Sequence, residues 1–208
     1  METVTYDRPQ TMRKVKRAAI PKELIYEMVR DRPVYYRGYR KVLTNEKSLE
    51  EVMGSSGLQG QLIAWIVGYL LRKLNVRKYA VMTNETGFLY APKNWRLLDI
   101  AIYDKKAVKH EMLSPKYLKT PPKIVIEVDT KADLKPYSDI LGYLTEKTDD
   151  LLKAGIEKVI WILTDTQKVM VAEQGKTWLL AKWHDMIPVV DDVTIQIEEL
   201  VKEMTEEE

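Results

Sequence analysis

"PPKIVIEVDTKADL", residues 121–134, decides how the chain is read. Behind a prolyl pair, Ile124, Val125, Ile126 and Val128 form a short apolar run, which predicts a buried strand. Glu127 and Asp129 are set into that run, with Lys131 just beyond. Acids are depleted from strands, because a carboxylate there must be solvated, paired or bound. Side chains alternate across a strand, so Ile124, Ile126 and Val128 share one face, and Val125, Glu127, Asp129 and Lys131 the other. Residues 96–103 repeat the arrangement, with Leu98, Ile100 and Ile102 opposite Leu97, Asp99, Ala101 and Tyr103. A simply exposed second face would leave the acids unremarkable. Val125, Leu97 and Tyr103 argue instead that it is partly covered, and then Asp99 and Glu127 need partners.

Working outward, residues 21–31, "PKELIYEMVRD", read as a short helix with Pro21 in its first turn. "YYRGYRKVL" (35–43) reads as a strand, followed by a short helix near 47–53. Ser55 or Ser56 of "GSSG" can cap a long helix over 58–74, where Leu62, Ile63, Ile66, Val67, Leu70, Leu71 and Leu74 keep helical spacing. "KYAVMT", "GFLYA" and "RLLDIAIYD" read as strands, with "APKN" a turn between the last two. After the strand at 123–129 comes a helix over 138–154, capped by Ser138 or Asp139 and followed by Gly155. "KVIWILT", "QKVMVAE" and "TWLLAKW" form an antiparallel meander, and an amphipathic helix at 196–204 closes the chain. The order is that of an α/β protein with helices on a mixed sheet.

Composition narrows the chemistry. With no cysteine, disulfides, thiolate metal sites and cysteine nucleophiles are excluded, and a reducing compartment is expected. Two histidines, His110 and His184, leave little room for a histidine zinc site or a Ser-His-Asp triad, so any metal site would use oxygen ligands. The first twenty residues are charged, unlike a secretory signal, and the longest apolar run, "LIAWIVGYLL", is about half a membrane span; both point to the cytoplasm and away from a membrane. Net charge is only +2, although Arg13, Lys14, Lys16 and Arg17 cluster in a basic N-terminal extension, residues 1–20, ahead of a single domain over 21–208. Lys105, Lys106, Lys109, Lys116 and Lys119 crowd another stretch, opposed only by Glu111; such stretches are solvated loops or phosphate-contacting surface.

The helix at 138–154 adds an anomaly. Ile140, Leu144, Lys147 and Leu151 fall on one stripe, so Lys147 lies within the apolar face. Either its stem snorkels to solvent, or the helix covers the acidic face and delivers Lys147 to Asp99 and Glu127. Two acids from neighbouring strands and one lysine can hold a hard divalent cation beside a phosphoryl group, or can form a structural ion-pair cluster.

On these residues the chain resembles the PD-(D/E)XK nuclease superfamily, and within it a large bacterial family named for restriction endonucleases. The likeness runs over about residues 20–200, through "YEMVRDRPVYYRGY", "LLDIAIYD", "PPKIVIEVDT" and "EKTDDLLKAGIEKVIWIL". It implies a restriction-endonuclease-like mixed sheet flanked by helices and a Mg²⁺- or Mn²⁺-dependent endonuclease acting on DNA. A homodimer is plausible because double-strand cleavage often uses two sites. By the resemblance Asp99 and Glu127 are the metal-binding acids, aided by Asp129 or the carbonyl of Val128. Leu98 replaces the proline of the family motif, and Asp129 stands where its lysine is expected. The resemblance therefore moves the lysine to Lys147 on the following helix, with Lys131 as the weaker substitute. Gln59 falls where nucleases of this fold often place a polar residue. A non-catalytic binding module that keeps the fold is the alternative.

Overall fold

The structure, a computed structural model, describes residues 20–206. All but the last residue of the basic N-terminal extension, with its four clustered cations, lies outside the described residues, as do Glu207 and Glu208. A 3-10 turn at Lys22–Leu24 leads into β1 (Ile25–Val29) and β2 (Arg32–Tyr35). Two short helices, α1 (Tyr39–Leu43) and α2 (Leu49–Met53), precede the long α3 (Gly57–Lys73). Strands β3 (Tyr79–Ala91) and β4 (Asn94–Asp104) are followed by α4 (Lys105–Val108), β5 (Ile124–Val128) and α5 (Ile140–Lys153). The chain ends with β6 (Lys158–Leu163), β7 (Lys168–Glu173), β8 (Leu179–Lys182), β9 (Ile187–Val190), β10 (Val193–Ile195) and α6 (Ile197–Thr205).

Two expectations for the N-terminal part are corrected. The helix expected over 21–31 is instead a 3-10 turn and the first strand of an antiparallel β-hairpin spanning 25–35, and of the strand expected over 35–43, residues 39–43 are helical. The hairpin turns through Arg30 and Asp31, both with positive φ (49° and 58°), which is the backbone of a tight primed turn. That turn is usually announced by Asn-Gly or Asp-Gly, and here no glycine marks it. Elsewhere local chemistry did set the boundaries. Ser48 closes a reciprocal capping box with Glu51, Ser56 caps α3, Asp139 caps α5, and Gly155 takes the left-handed position (φ 100°) after α5.

The main sheet has the order β2-β1-β4-β5-β6-β7-β8, with β3 along the other edge of β4. The β5–β6 pair is parallel and its neighbours are antiparallel, so the fold is a mixed α/β sheet. One face packs Ile100, Ile102, Ile124, Ile126 and Val128 against Leu62, Ile66 and Leu70 of α3 and Ile197 and Leu200 of α6. The β9–β10 hairpin, unmarked in the sequence reading, packs into this cluster through Ile187, Val189, Val193 and Ile195. The other face packs Ala101, Tyr103, Val125 and Trp161 against Tyr143, Leu144 and Leu151 of α5. Leu98 joins this second cluster instead of its parity partners Ile100 and Ile102; the β3–β4 register slips between Thr83 and Thr86, opposite that point. Among the described residues no helix is long and apolar enough to cross a membrane.

What positions the site is the sharing of one edge of β4. Near its start that edge pairs with β1 (Met28 opposite Trp95), and near its end with β5 (Ile100 opposite Ile126). Between them, residues 96–99 have no ladder partner on that side. Backbone groups left there must find side chains or water.

Candidate functional site

Side chains fill that gap. The Leu97 N–H donates to Glu27 Oε1 (3.1 Å), and the Leu97 carbonyl accepts from Lys147 Nζ (2.7 Å). Glu27, from β1, and Lys147, from α5, thus stand in for a missing strand. Lys147 Nζ also lies 3.1 Å from Glu27 Oε1 and 3.0 Å from Glu127 Oε2. An ammonium has three donors, and these three acceptors use them all. Glu27 Oε2 accepts from Arg96 (2.8 Å) and from the Tyr143 hydroxyl (2.9 Å). Arg96 passes on to Asp150 (2.5 Å), which Arg30 reaches from the surface (3.0 Å).

Glu127 and Lys147 therefore meet in the covered acidic face, with Lys147 not snorkelling to solvent, and Asp99 lies within reach of their charge. Asp99 Oδ2 accepts from the Val128 N–H (2.8 Å), and the Val128 carbonyl accepts from Gln59 Nε2 (2.7 Å), so α3 braces the end of β5. Asp129 is turned elsewhere. It adopts a left-handed backbone (φ 54°), which ends the strand alternation, and both its carboxylate oxygens accept from Thr164 (2.9 and 2.6 Å). Lys131, carried round by this turn, bonds Glu85 (2.5 Å) and the Met53 carbonyl (3.1 Å). Glu27 and Arg96 were not singled out from sequence. The signal was present, since "IYEMV" sets an acid among apolar residues just as "IVIEV" does.

Charge is unevenly shared. Four buried carboxylates, Glu27, Asp99, Glu127 and Asp150, face two buried cations, Arg96 and Lys147. Burial pushes the Glu27 carboxyl up, but Lys147 and Arg96 more than reverse this and hold it below its ordinary value. Burial likewise works against the Lys147 ammonium, and Glu127 and Glu27 outweigh it, so its proton is held tightly. Glu127 is left short of positive charge. Burial raises it well above the ordinary carboxylate range despite Lys147, and neighbouring Asp99 and Glu27 add to the rise. Burial also raises Asp99, against the pull of the Val128 N–H and Lys147. Glu127 Oε1 is fully buried and has no hydrogen-bond partner.

Asp99 carries this unsatisfied end to the surface. It lines a cleft of about 470 Å³ between α3 (Gly60, Ile63, Ala64, Val67) and a bulge of β3, where Asn84 and Glu85 both have positive φ. Glu127 and Lys147 are not part of its wall. Among the described residues no three Asp, Glu, His or Cys side chains converge on one point as a ready metal cage. The donor set is instead two carboxylates with one free buried oxygen, which suits an ion that keeps several waters, as Mg²⁺ does.

No family model matches the chain, and no curated protein does. Among solved structures, it is similar to a DUF820 protein from Anabaena variabilis whose own description as a nuclease is provisional. The TM-score is 0.60 at 14% identity, over 86% of this chain and 90% of that one. The two share a fold: a large mixed sheet flanked by helices.

Proposed function

We propose that this chain is a metal-dependent nuclease that hydrolyses phosphodiester bonds of DNA, arranged as the PD-(D/E)XK nucleases are. The observation that carries the reading is Glu127 Oε1, a buried carboxylate oxygen without a partner, next to Asp99 and in a region with more acids than cations. The fold shared with a protein described as a nuclease supports it. Asp99 and Glu127, with the Val128 carbonyl, would hold Mg²⁺ or Mn²⁺, which when bound polarises a phosphoryl oxygen and lowers the pKa of its water. Gln59 fixes the direction of the Val128 carbonyl. Lys147 aims Glu127 and offsets its charge, while Glu27 and Arg96 keep Lys147 in place. A homodimer would set two such sites against the two strands of a duplex.

A binding module without catalysis is favoured by one observation: every donor of Lys147 is already engaged inside the protein. The two readings separate on supercoiled plasmid in Mg²⁺, Mn²⁺ or EDTA, with Glu127→Ala and Lys147→Ala alongside. The nuclease reading expects metal-dependent nicking that Glu127→Ala abolishes. It also expects Mn²⁺ to raise Tm in the parent protein and not in Asp99→Asn. Nicking in EDTA, or nicking that survives both substitutions, would remove this site as the source.

A further inference from the structure

The cleft that Asp99 lines and the one beside it hold three cations, two of them without an ion pair among the described residues. Beside the first cleft lies a second, of about 220 Å³, and the two share Gly54 and Lys131. Arg37 and Lys47 line the second. Both are exposed, and neither makes an ion pair among the described residues. Arg37 is steered by two backbone bonds: its guanidinium donates to the Thr130 carbonyl (2.8 Å) and its own N–H to the Lys131 carbonyl (2.6 Å). The acids along this wall are already committed. Glu51 closes the capping box of α2, and Asp129 is held by Thr164. Lys131 is the junction. It spends two of its three donors, on Glu85 and the Met53 carbonyl, and lies in the wall beside Asp99.

We propose that the two clefts form one groove for a nucleic-acid strand, with Lys131 contacting the phosphate next to Asp99 and Arg37 and Lys47 contacting the phosphate beyond. This rests on the nuclease reading for the identity of the ligand and adds the path of its backbone. A row of cations spaced along a groove is what tracks a phosphate backbone, and each contact neutralises one charge. Glu85 is the internal competitor: the phosphate takes Lys131 over from it. The lysines at 105, 106, 109, 116 and 119, which the sequence offered as phosphate-contacting surface, line neither cleft.

The test is binding of a fluorescein-labelled single-stranded DNA 20-mer, read by anisotropy in EDTA across a salt series, so that hydrolysis plays no part. Lys131→Ala, Arg37→Ala and Lys47→Ala should each weaken binding by roughly five- to tenfold at about 50 mM salt and lower the log–log salt slope by about 0.7, the share of one single-strand contact. Glu85→Gln should tighten binding, which a merely structural role for the Lys131–Glu85 pair would not produce. Lys109→Ala, exposed and outside both clefts, is the control. Lys47 makes no side-chain bond among the described residues, so Lys47→Ala reports on the groove even if a change at Lys131 disturbs the fold. Unchanged binding in all three variants, equal loss in Lys109→Ala, or no binding by the parent protein would overturn the groove. Binding that depends on these cations in a protein that nicks nothing would overturn the nuclease reading and leave the groove standing. Nicking with no dependence on the three cations would do the reverse.

Discussion

Lys131 and Lys147 flank the same acids in opposite circumstances. Lys147 lies in a dry network in which Glu27, Arg96, Tyr143 and the backbone of Leu97 hold one another, with Arg96 Nε left unpaired. Lys131 sits in the wall of an open cleft that Asp99 also lines, with a displaceable partner. The difference teaches where to look for chemistry. A buried ion-pair network fixes positions, because each removed partner strands a charge. A cation in a cleft wall, with a donor to spare, is free to take a ligand. Identical residue types therefore have separable effects, on stability at one end and on ligand binding at the other.

The largest effect should come from the dry end. Glu27→Ala leaves Arg96 and Lys147 without their shared counter-charge and exposes the Leu97 N–H to no partner. A loss of about 3–5 kcal/mol in unfolding free energy is expected from urea denaturation. A loss below about 1 kcal/mol would mean the network is not the structural support described. At the open end Asp99→Asn should do the opposite. Nicking should fall by at least about 100-fold, since a bound cation contributes several kcal/mol at 1.36 kcal/mol per tenfold. Stability in EDTA should hold or rise, because a buried charge is removed.

The two ends should also answer pH with opposite signs. Glu27 is held below its ordinary value, so its contribution is present above the unfolded pKa and is lost as pH falls through the folded one. Asp99 and Glu127 are raised, so the fold binds their protons more tightly than the unfolded chain, and the stability this gives is lost as pH rises. In EDTA the urea midpoint should climb as pH is lowered toward the ordinary carboxylate range and fall again below it. Asp99→Asn combined with Glu127→Gln should flatten the climb and keep the fall. Mn²⁺ should also flatten it, because the ion requires both carboxylates ionised. A climb that survives the double substitution would place the raised groups elsewhere.

Much of the second half of the fold was legible, and the reason is local. The meander, α5 and the buried strands carry apolar periods, caps and a terminal glycine that agree with their tertiary roles. Residues 21–31 read as a helix because the hairpin turn they run into uses Arg30 and Asp31 in left-handed conformations, with no glycine to signal it. That error hid Glu27, since an acid on a short helix needs no explanation whereas an acid in a buried strand does. Parity and the helix stripe put Glu127 and Lys147 on one covered face, where they do meet, because β5 and α5 are regular; parity already slips at Leu98, beside Asp99. Parity failed at Asp129, where one residue at φ 54° turns the chain, and no composition rule announces that.

Asp129 gives the smallest and most discriminating test. Its left-handed backbone is tolerable because Asp and Asn are the non-glycine residues that adopt it most readily. Its carboxylate receives two bonds from Thr164, and these fix the turn that brings Lys131 to the cleft. Asn keeps both features: its carbonyl oxygen accepts the Thr164 N–H, and its amide donates to the Thr164 hydroxyl, which can rotate to accept. Asp129→Asn should therefore cost about 1 kcal/mol or less in stability and leave nicking within a few-fold of the parent. If Asp129 were instead a third ligand of the cation, the same change should cost as much activity as Asp99→Asn. Thr164→Val separates the cases again: it removes the hydroxyl and costs about 1 kcal/mol, yet it alters no carboxylate. Loss of nicking in Thr164→Val together with weaker oligonucleotide binding would show that Asp129 acts through the position of Lys131, whereas loss in Asp129→Asn alone would make it a ligand.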